Sequence, residues 1–281
     1  MLTEDNVGGD IAGEKFWNSQ WNKYDIPADL WNIDSTHFRN SVERKLFAQM
    51  QAYFVHTLGS TNGKNLLEVG CARSDVLPLF VIKSGFNVWG MDYSEQGCLQ
   101  AKKIMARERV SGTIVCSDIF DPPNEMHGYF DAIVSFGLVE HFANTEAIVT
   151  AMARLLKPGG VMFTHIPNMN GLTGLTQRLL DRVIFDLHIP LHAEQLRVAH
   201  AKSGMEVIHC DYFMSTNFGV SNIDSIDRNS LNWRIKRFIL TWLTRVSKAV
   251  WFVEQRVGEL PTSNLFSPYI NCVAIKPERP N

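Results

Sequence analysis

The sequence has no stretch of about 18 uninterrupted apolar residues, the length a membrane-spanning helix needs. Its first residues, Met1 to Trp17, are acidic and polar where a signal peptide would start basic and continue apolar. Secretion and membrane spanning are therefore disfavoured, and a cytoplasmic location is expected. Cysteine is scarce. Cys71, Cys98, Cys116, Cys210 and Cys272 form no Cys-x-x-Cys pair, and their odd count argues against a disulfide framework. Reduced thiols, buried as small residues, are expected instead. An excess of charge of one sign is also absent: 27 Lys and Arg against 29 Asp and Glu give a formal net charge of -2. Without a positive field to collect phosphates, nucleic acid is not an expected partner and a small molecule is. Internal repeats and low-complexity tracts are missing as well.

What is present is a core. Hydrophobic residues make up 45% of the 281 positions and charged residues 20%, ordinary usage for one α/β domain with insertions. From about Asn65 onward, apolar runs of strand length alternate with helix-length periodic segments. The strands are expected at Leu66 to Gly70, Asn87 to Met91, Thr113 to Cys116, Phe130 to Phe136, Val161 to Ile166, Met205 to Tyr212 and Tyr269 to Ile275. Between them the spacing predicts helices at Asp75 to Lys83, Ser94 to Arg109 with Ser94 as N-cap, Thr145 to Leu156 and His192 to Ser203. The expected fold class is α/β, a seven-stranded and mostly parallel sheet with helices on both faces. Residues 1–60 are expected to be an N-terminal helical cap. Residues 61–281 would be the main domain, with cap insertions at about 168–191 and 217–262.

The candidate chemistry lies at the carboxyl ends of the first strands. Asn65-Leu-Leu-Glu-Val-Gly-Cys-Ala-Arg-Ser-Asp75 reads as an apolar strand ending in an acid, a turn of small residues and a helix start. Such a turn lets the backbone approach a ligand at the sheet edge where open α/β folds place their sites, although packing alone can require it too. Val88-Trp-Gly-Met-Asp92 ends a second strand in a carboxylate 22 residues after Gly70 (92 minus 70). An acid roughly 20 residues past such a turn can bind ribose hydroxyls. Taken alone, Asp92 reads equally well as an N-cap; paired with the turn, it favours a nucleotide-like ligand.

Ser117-Asp118-Ile119 follows the third strand, Asp131-Ala-Ile-Val-Ser-Phe-Gly137 forms the fourth and runs into Leu138-Val-Glu-His-Phe142, and Leu-Lys-Pro-Gly-Gly precedes the fifth. In this order the motifs resemble the class I S-adenosylmethionine-dependent methyltransferases of the broad small-molecule group, well over Asn65 to Asn168 and loosely beyond. The resemblance implies a Rossmann-like sheet, S-adenosylmethionine as cofactor, and methyl transfer to an O, N or C atom of a small-molecule acceptor. It also implies that Glu68 and Gly70, with Cys71 and Ala72 in the same turn, sit by the methionine part. Asp92 would take the ribose hydroxyls and Tyr93 flank the adenine. Asp118 and the backbone of Ile119 would read the adenine edge, while Ser135, Phe136 and Gly137 would line the methionine arm. The chain departs from the pattern where three glycines are common: it has Gly70, Ala72 and Ser74, with Arg73 unusual between them. Asp121-Pro-Pro-Asn124 looks like an amino-methyltransferase motif but follows the wrong strand and reads as a turn. A nicotinamide dehydrogenase is disfavoured, since neither Tyr-x-x-x-Lys nor Gly-x-Gly-x-x-Gly occurs.

An activated methyl needs alignment and dryness more than catalytic groups. If a base is used, His141 and His165, at the ends of strands four and five, are the candidates; bracing the cofactor loop or lining a wall are their plainer roles. His188 and His192 stand four apart, but Ile189-Pro190 breaks any helix between them, so no metal is expected. The apolar patch at Leu175 to Phe185, with Trp17, Trp21 and Tyr24, could cover the acceptor. Leu231 to Val257 keeps helical spacing of apolar residues with six basic side chains against one acid. That helix, or pair of helices, suits a lid or dimer contact, or else an anionic membrane surface. A monomer or homodimer is expected. A catalytically silent binding or regulatory protein and a peripheral-membrane enzyme acting on a lipid-linked acceptor are the competing classes.

Overall fold

The computed structural model describes residues 9–278. Residues 1–8, on which half of the N-terminal reading falls, and residues 279–281 lie outside them. Two helices come first, α1 (Glu14–Lys23) and α2 (Ser41–Leu58), and then the alternation begins: β1 (Asn65–Val69), α3 (Leu77–Ser84), β2 (Asn87–Asp92), α4 (Glu95–Glu108), β3 (Gly112–Cys116) and β4 (Phe130–Phe136). The second half runs α5 (Thr145–Leu155), β5 (Leu156–Pro167), α6 (Leu172–Leu180), α7 (Arg182–Phe185), α8 (Ala193–Lys202), β6 (Glu206–Phe213), α9 (Leu231–Val257) and β7 (Tyr269–Ile275).

The strands form one sheet in the order β3-β2-β1-β4-β5-β7-β6. Neighbours from β3 to β5 are parallel, while β7 runs antiparallel to both β5 and β6. Strand order reverses between β1 and β4, and the crevice beyond their carboxyl ends is where such sheets bind ligands. Central β4 shows why the alternation signal is weak in a doubly covered sheet: Phe130 to Ser135 are all buried, whichever face they point to. On one face α2 and α3 cover Leu66, Val88, Val134 and Phe163; on the other α5 and α8 cover Leu67, Ile133, Met162 and Ile270. Phe163 is fully buried, and truncation of such a ring to Ala costs about 3–5 kcal/mol.

Asp131 ties three strands together at the end away from the crevice. Its carboxylate accepts the Asn65 amide at 2.8 Å and the Lys157 ammonium at 2.9 Å. The helices start on the caps their sequences offer. Ser94 Oγ accepts from the Gly97 amide at 3.1 Å, Asn144 Oδ1 from Ala147 at 3.0 Å and Ser230 Oγ from Trp233 at 3.1 Å.

Three expectations need correction. Lys-Pro-Gly-Gly is not only a helix stop: β5 already begins at Leu156, which pairs with Phe130 before a register shift. Cys116 is exposed, unlike the other four thiols; it ends β3, the edge strand, whose outer side no neighbour covers. Finally, 231–257 is a single 27-residue helix whose core-facing stripe is Leu240, Ser247, Trp251 and Glu254. Leu231, Ile235, Phe238 and Trp242, the apolar residues that set its periodicity, are exposed instead. Among the described residues, no helix is long and apolar enough to cross a membrane.

Candidate functional site

The first turn leaves β1 through Gly70 with φ of 78°, in the left-handed region that glycine enters without strain. Its amide and that of Cys71 both donate to the Met91 carbonyl, at 2.8 and 3.2 Å, which docks the turn onto the end of β2. The residues in place of the family's later glycines have defined tasks. Ser74 Oγ donates to Glu68 at 2.6 Å and accepts from the Leu77 amide at 2.9 Å, so one hydroxyl answers a buried acid and takes up the first amide of α3. Arg73 takes φ of 56°, and its guanidinium donates to the Asp25 carbonyl at 2.6 Å and lies over the Tyr24 ring. The unusual arginine thereby ties the segment after α1 across the turn.

Asp92 sits where β2 ends, bracketed by amides: Ser94 donates to Oδ1 at 2.8 Å and Ala72 to Oδ2 at 3.2 Å. Burial pushes its carboxyl up to about 6, against the pull of those two amides, so it is ionised at neutral pH. Beside it the Tyr93 hydroxyl donates to Asp10, whose carboxylate also accepts from Trp17 Nε1 at 2.8 Å and the Ala12 amide at 2.9 Å. The N-terminal segment is pinned across the mouth: Asp10 bridges to Phe142, and the Ile11 amide donates to the His141 carbonyl at 2.9 Å.

These groups wall one cavity at the carboxyl ends of β1, β2 and β4. Of the residues singled out in the sequence, Gly70, Ala72, Asp92, Tyr93, Ile119, Phe136, Gly137 and His141 line it. The other expected residues do not. Glu68 is turned into the fold onto Ser74, its carboxyl pushed up to about 8 by burial. Cys71 packs against Gly90, where an added Cβ would meet its sulfur at 2.6 Å. Asp118 folds back to accept the Phe120 amide at 3.0 Å, and Ser135 is buried inside β4. Asp10 is a lining residue that sequence reasoning missed; it lies far from the strand ends, before the βα alternation begins. Trp17 and Trp21, stacked at 5.6 Å, form the opposite wall.

A second chamber opens beyond Gly137 and His141, which line both cavities. His165 belongs to this chamber alone; its Nδ1 meets Asn271 Oδ1 at 2.6 Å and its ring lies 4.5 Å from that of Tyr269. Chain on either side of the chamber supplies the rest, including Gln177 of α6, Ile184 of α7, His188, Val220 and Asn222. Of the insertion at 217–262, only 220, 222 and 224 reach it, and α9 lies outside. His188 also lines this chamber. Its partner is not His192, which starts α8, but His141, with ring centroids 4.5 Å apart and Glu140 beside them. The expectation of no metal weighed only the pair His188 and His192.

A scan against known families matches residues 40–210 to the methyltransferase domain family, more than half of the chain. The chain belongs to the methyltransferase domain family. The chain is 33% identical over 111 residues to the ubiquinone biosynthesis O-methyltransferase of Dechloromonas aromatica (40% of this chain, 47% of the relative). To the Chromobacterium violaceum protein of the same name it is 31% identical over 117 residues (42% and 50%). The chain thus matches only about half the length of these relatives. Among solved structures, its fold is similar to geranyl diphosphate C-methyltransferase of Streptomyces coelicolor A3(2), bound to Mg2+, geranyl diphosphate and S-adenosyl-L-homocysteine. The TM-score is 0.56 at 16% identity, covering 94% and 96% of the two chains. The cyclase SpnF has the same fold, with a TM-score of 0.58, 14% identity and 98% and 99% coverage. At such identity these neighbours speak for the fold and not for the reaction.

Proposed function

We propose that this methyltransferase takes the methyl group of S-adenosylmethionine and transfers it to a small-molecule acceptor held in the second chamber. The observation that carries the reading is Asp92, a carboxylate fixed by two amides at the end of β2 and facing a cavity lined by the turn after β1. The fit is good: a vicinal diol needs fixed acceptor oxygens, a flat base needs walls such as Ile119 and Phe142, and a sulfonium is favoured by aromatic rings and nearby carboxylates. When bound, S-adenosylmethionine supplies a methyl already activated by its positive sulfur.

The chain's own residues orient and dry the site. Trp17 and Trp21 cover the cofactor cavity, Gly137 leaves a passage between the two chambers, and residues 9–60 and 168–191 act as caps that exclude water. His165 is the proposed base. Its Nδ1 hydrogen is held by the Asn271 carbonyl oxygen, which leaves a lone pair on Nε2, and burial lowers its pKa to about 4. It therefore stays neutral through the working range of pH, with the Nε2 lone pair free but weakly basic, so that its service as base requires an acceptor whose proton is itself acidified. Cytoplasmic placement is proposed on the five free thiols.

Incubation with methyl-labelled S-adenosylmethionine and metabolite extracts, followed by product mass analysis, tests the reading. A labelled product that disappears with Asp92→Ala is expected. Failure of the purified chain to bind the cofactor or its demethylated product would refute it.

A second reading is favoured by α9. Its exposed Leu231, Ile235, Phe238 and Trp242 lie beside Arg234, Arg237 and Arg245, the mix that attracts an anionic lipid surface. On this reading the acceptor is lipid-borne. Flotation with anionic liposomes should carry the wild type and not the variant with all three arginines changed to Glu; no flotation of the wild type removes the idea.

A further inference from the structure

Three groups at the junction of the two chambers converge without sequence adjacency of all three: the carboxylate of Glu140 and the imidazoles of His141 and His188. One ligand atom from each lies within 4.8 Å of the others. Glu140 is 1% exposed, yet neither of its carboxylate oxygens has a hydrogen-bond partner among the described residues. Among the described residues other buried acids have donors, Glu68 in Ser74, Asp131 in Asn65 and Lys157, and Asp181 in Ser225, while Glu254 has the Leu260 amide on one oxygen and only Lys45 at 3.8 Å near the other. A buried carboxylate without donors is costly, and such an exception calls for a ligand or an ion.

The histidines are already oriented as ligands. His141 Nδ1 lies 2.7 Å from the Leu187 carbonyl and His188 Nδ1 lies 2.8 Å from the Ile184 carbonyl. A carbonyl can only accept, so each ring carries its proton on Nδ1 and keeps a lone pair on Nε2. Metal-binding histidines are commonly braced in this way by a backbone carbonyl. The segment bearing His188 is locked onto the turn bearing the other two, since the Ile189 amide donates to the Glu140 carbonyl at 2.7 Å. All three residues line the acceptor chamber.

We propose that Glu140, His141 and His188 form a site for one divalent transition-metal ion that holds an oxygen atom of the acceptor. Two imidazoles and one carboxylate suit Zn2+, Mn2+, Fe2+ or Co2+ better than Mg2+ or Ca2+, and three protein ligands leave positions open for substrate. The substrate class is accordingly a hydroxylated molecule. Its hydroxyl is acidified by the cation and gives its proton to His165 Nε2. Its oxygen pair then forms the O–C bond as the C–S bond breaks and that pair passes to sulfur. The metal site stands on geometry; only its role toward the acceptor rests on the methyl-transfer reading.

The test uses the full chain stripped of metals by chelator. It is titrated with Co2+ under visible absorption and then with Zn2+ in competition, and S-adenosylhomocysteine is titrated in parallel by calorimetry. The wild type should take up one ion per chain, with affinity falling about 100-fold or more in His188→Ala and in Glu140→Gln, and unchanged in His192→Ala. His188→Ala should bind S-adenosylhomocysteine as the wild type does, which shows that it is folded. The site is overturned if the wild type binds no stoichiometric ion or if His188→Ala binds it equally well. Ion binding without S-adenosylhomocysteine binding would instead sustain the site and refute the proposed function.

Discussion

The two cavities that meet at Gly137 and His141 are built on opposite plans. The cofactor cavity is made of strand ends. Its acid, Asp92, takes its partners from the backbone within its own turn and the neighbouring one, at 2.8 and 3.2 Å. The acceptor chamber is assembled from chain on both sides of the sheet edge, and its acid, Glu140, has no partner at all among the described residues. The first arrangement is complete before a ligand arrives; the second leaves carboxyl oxygens and imidazole lone pairs for a ligand to complete. A scaffold that binds one common cofactor can keep the first plan while the second varies with the acceptor.

The largest effect that would sharpen this contrast is a split between binding and turnover. His165→Ala should lower kcat by about 100-fold or more, the usual scale of lost proton transfer, and leave cofactor affinity unchanged. Equal losses in both would break the division between the cavities. Tyr93→Phe is the next probe. It removes the hydroxyl that donates to Asp10, and a hydrogen bond to a charged group is worth about 1.5–3 kcal/mol. Because Asp10 keeps two other donors, calorimetry should show a loss of cofactor affinity of roughly tenfold, with no change in any metal uptake. The α9 helix offers a further comparison: Trp251, which is buried and donates to the Thr216 carbonyl at 2.8 Å, should cost about 3–5 kcal/mol as Ala. Phe238→Ser on the exposed stripe should change stability by no more than about 0.5 kcal/mol, both read from denaturant melts.

How much was legible follows the same division. The strands, the turn after β1, Asp92 and Tyr93 could be read because periodicity and motif order are local properties of the chain at strand ends. Glu68, Cys71, Asp118 and Ser135 lie off the cavity lining because a motif marks a segment and not the direction a side chain takes: in the same turn Ala72 faces the cavity while Cys71 packs on Gly90. Glu140 stood in plain view in Val-Glu-His-Phe, but its convergence with His188 depends on how residues 184–189 fold back, which spacing does not encode. In α9 the periodicity was right about the helix and silent about which stripe is buried. In α5, by contrast, Ile148, Val149, Met152 and Leu155 set the period and also face the core.

The smallest expected effect concerns the acid on which the first turn is built. Burial raises Glu68 to about 8, so between about 4.5 and about 8 the folded chain holds a proton that the unfolded chain has released. Stability contributed by the neutral acid is complete below about 4.5 and is lost as pH rises toward about 8. Thermal melts across that window should therefore fall with pH more steeply for the wild type than for Glu68→Gln; parallel curves would mean that Glu68 is ionised in the fold.

The account depends most on what Asp92 holds. Calorimetric titration of the wild type and of Asp92→Ala with S-adenosylhomocysteine measures this directly. Loss of two charge-assisted hydrogen bonds to a ribose, at about 1.5 kcal/mol or more each, predicts a drop in affinity of about 100-fold or more while the melting temperature stays near that of the wild type. Equal affinities, or no heat of binding with the wild type, would contradict it.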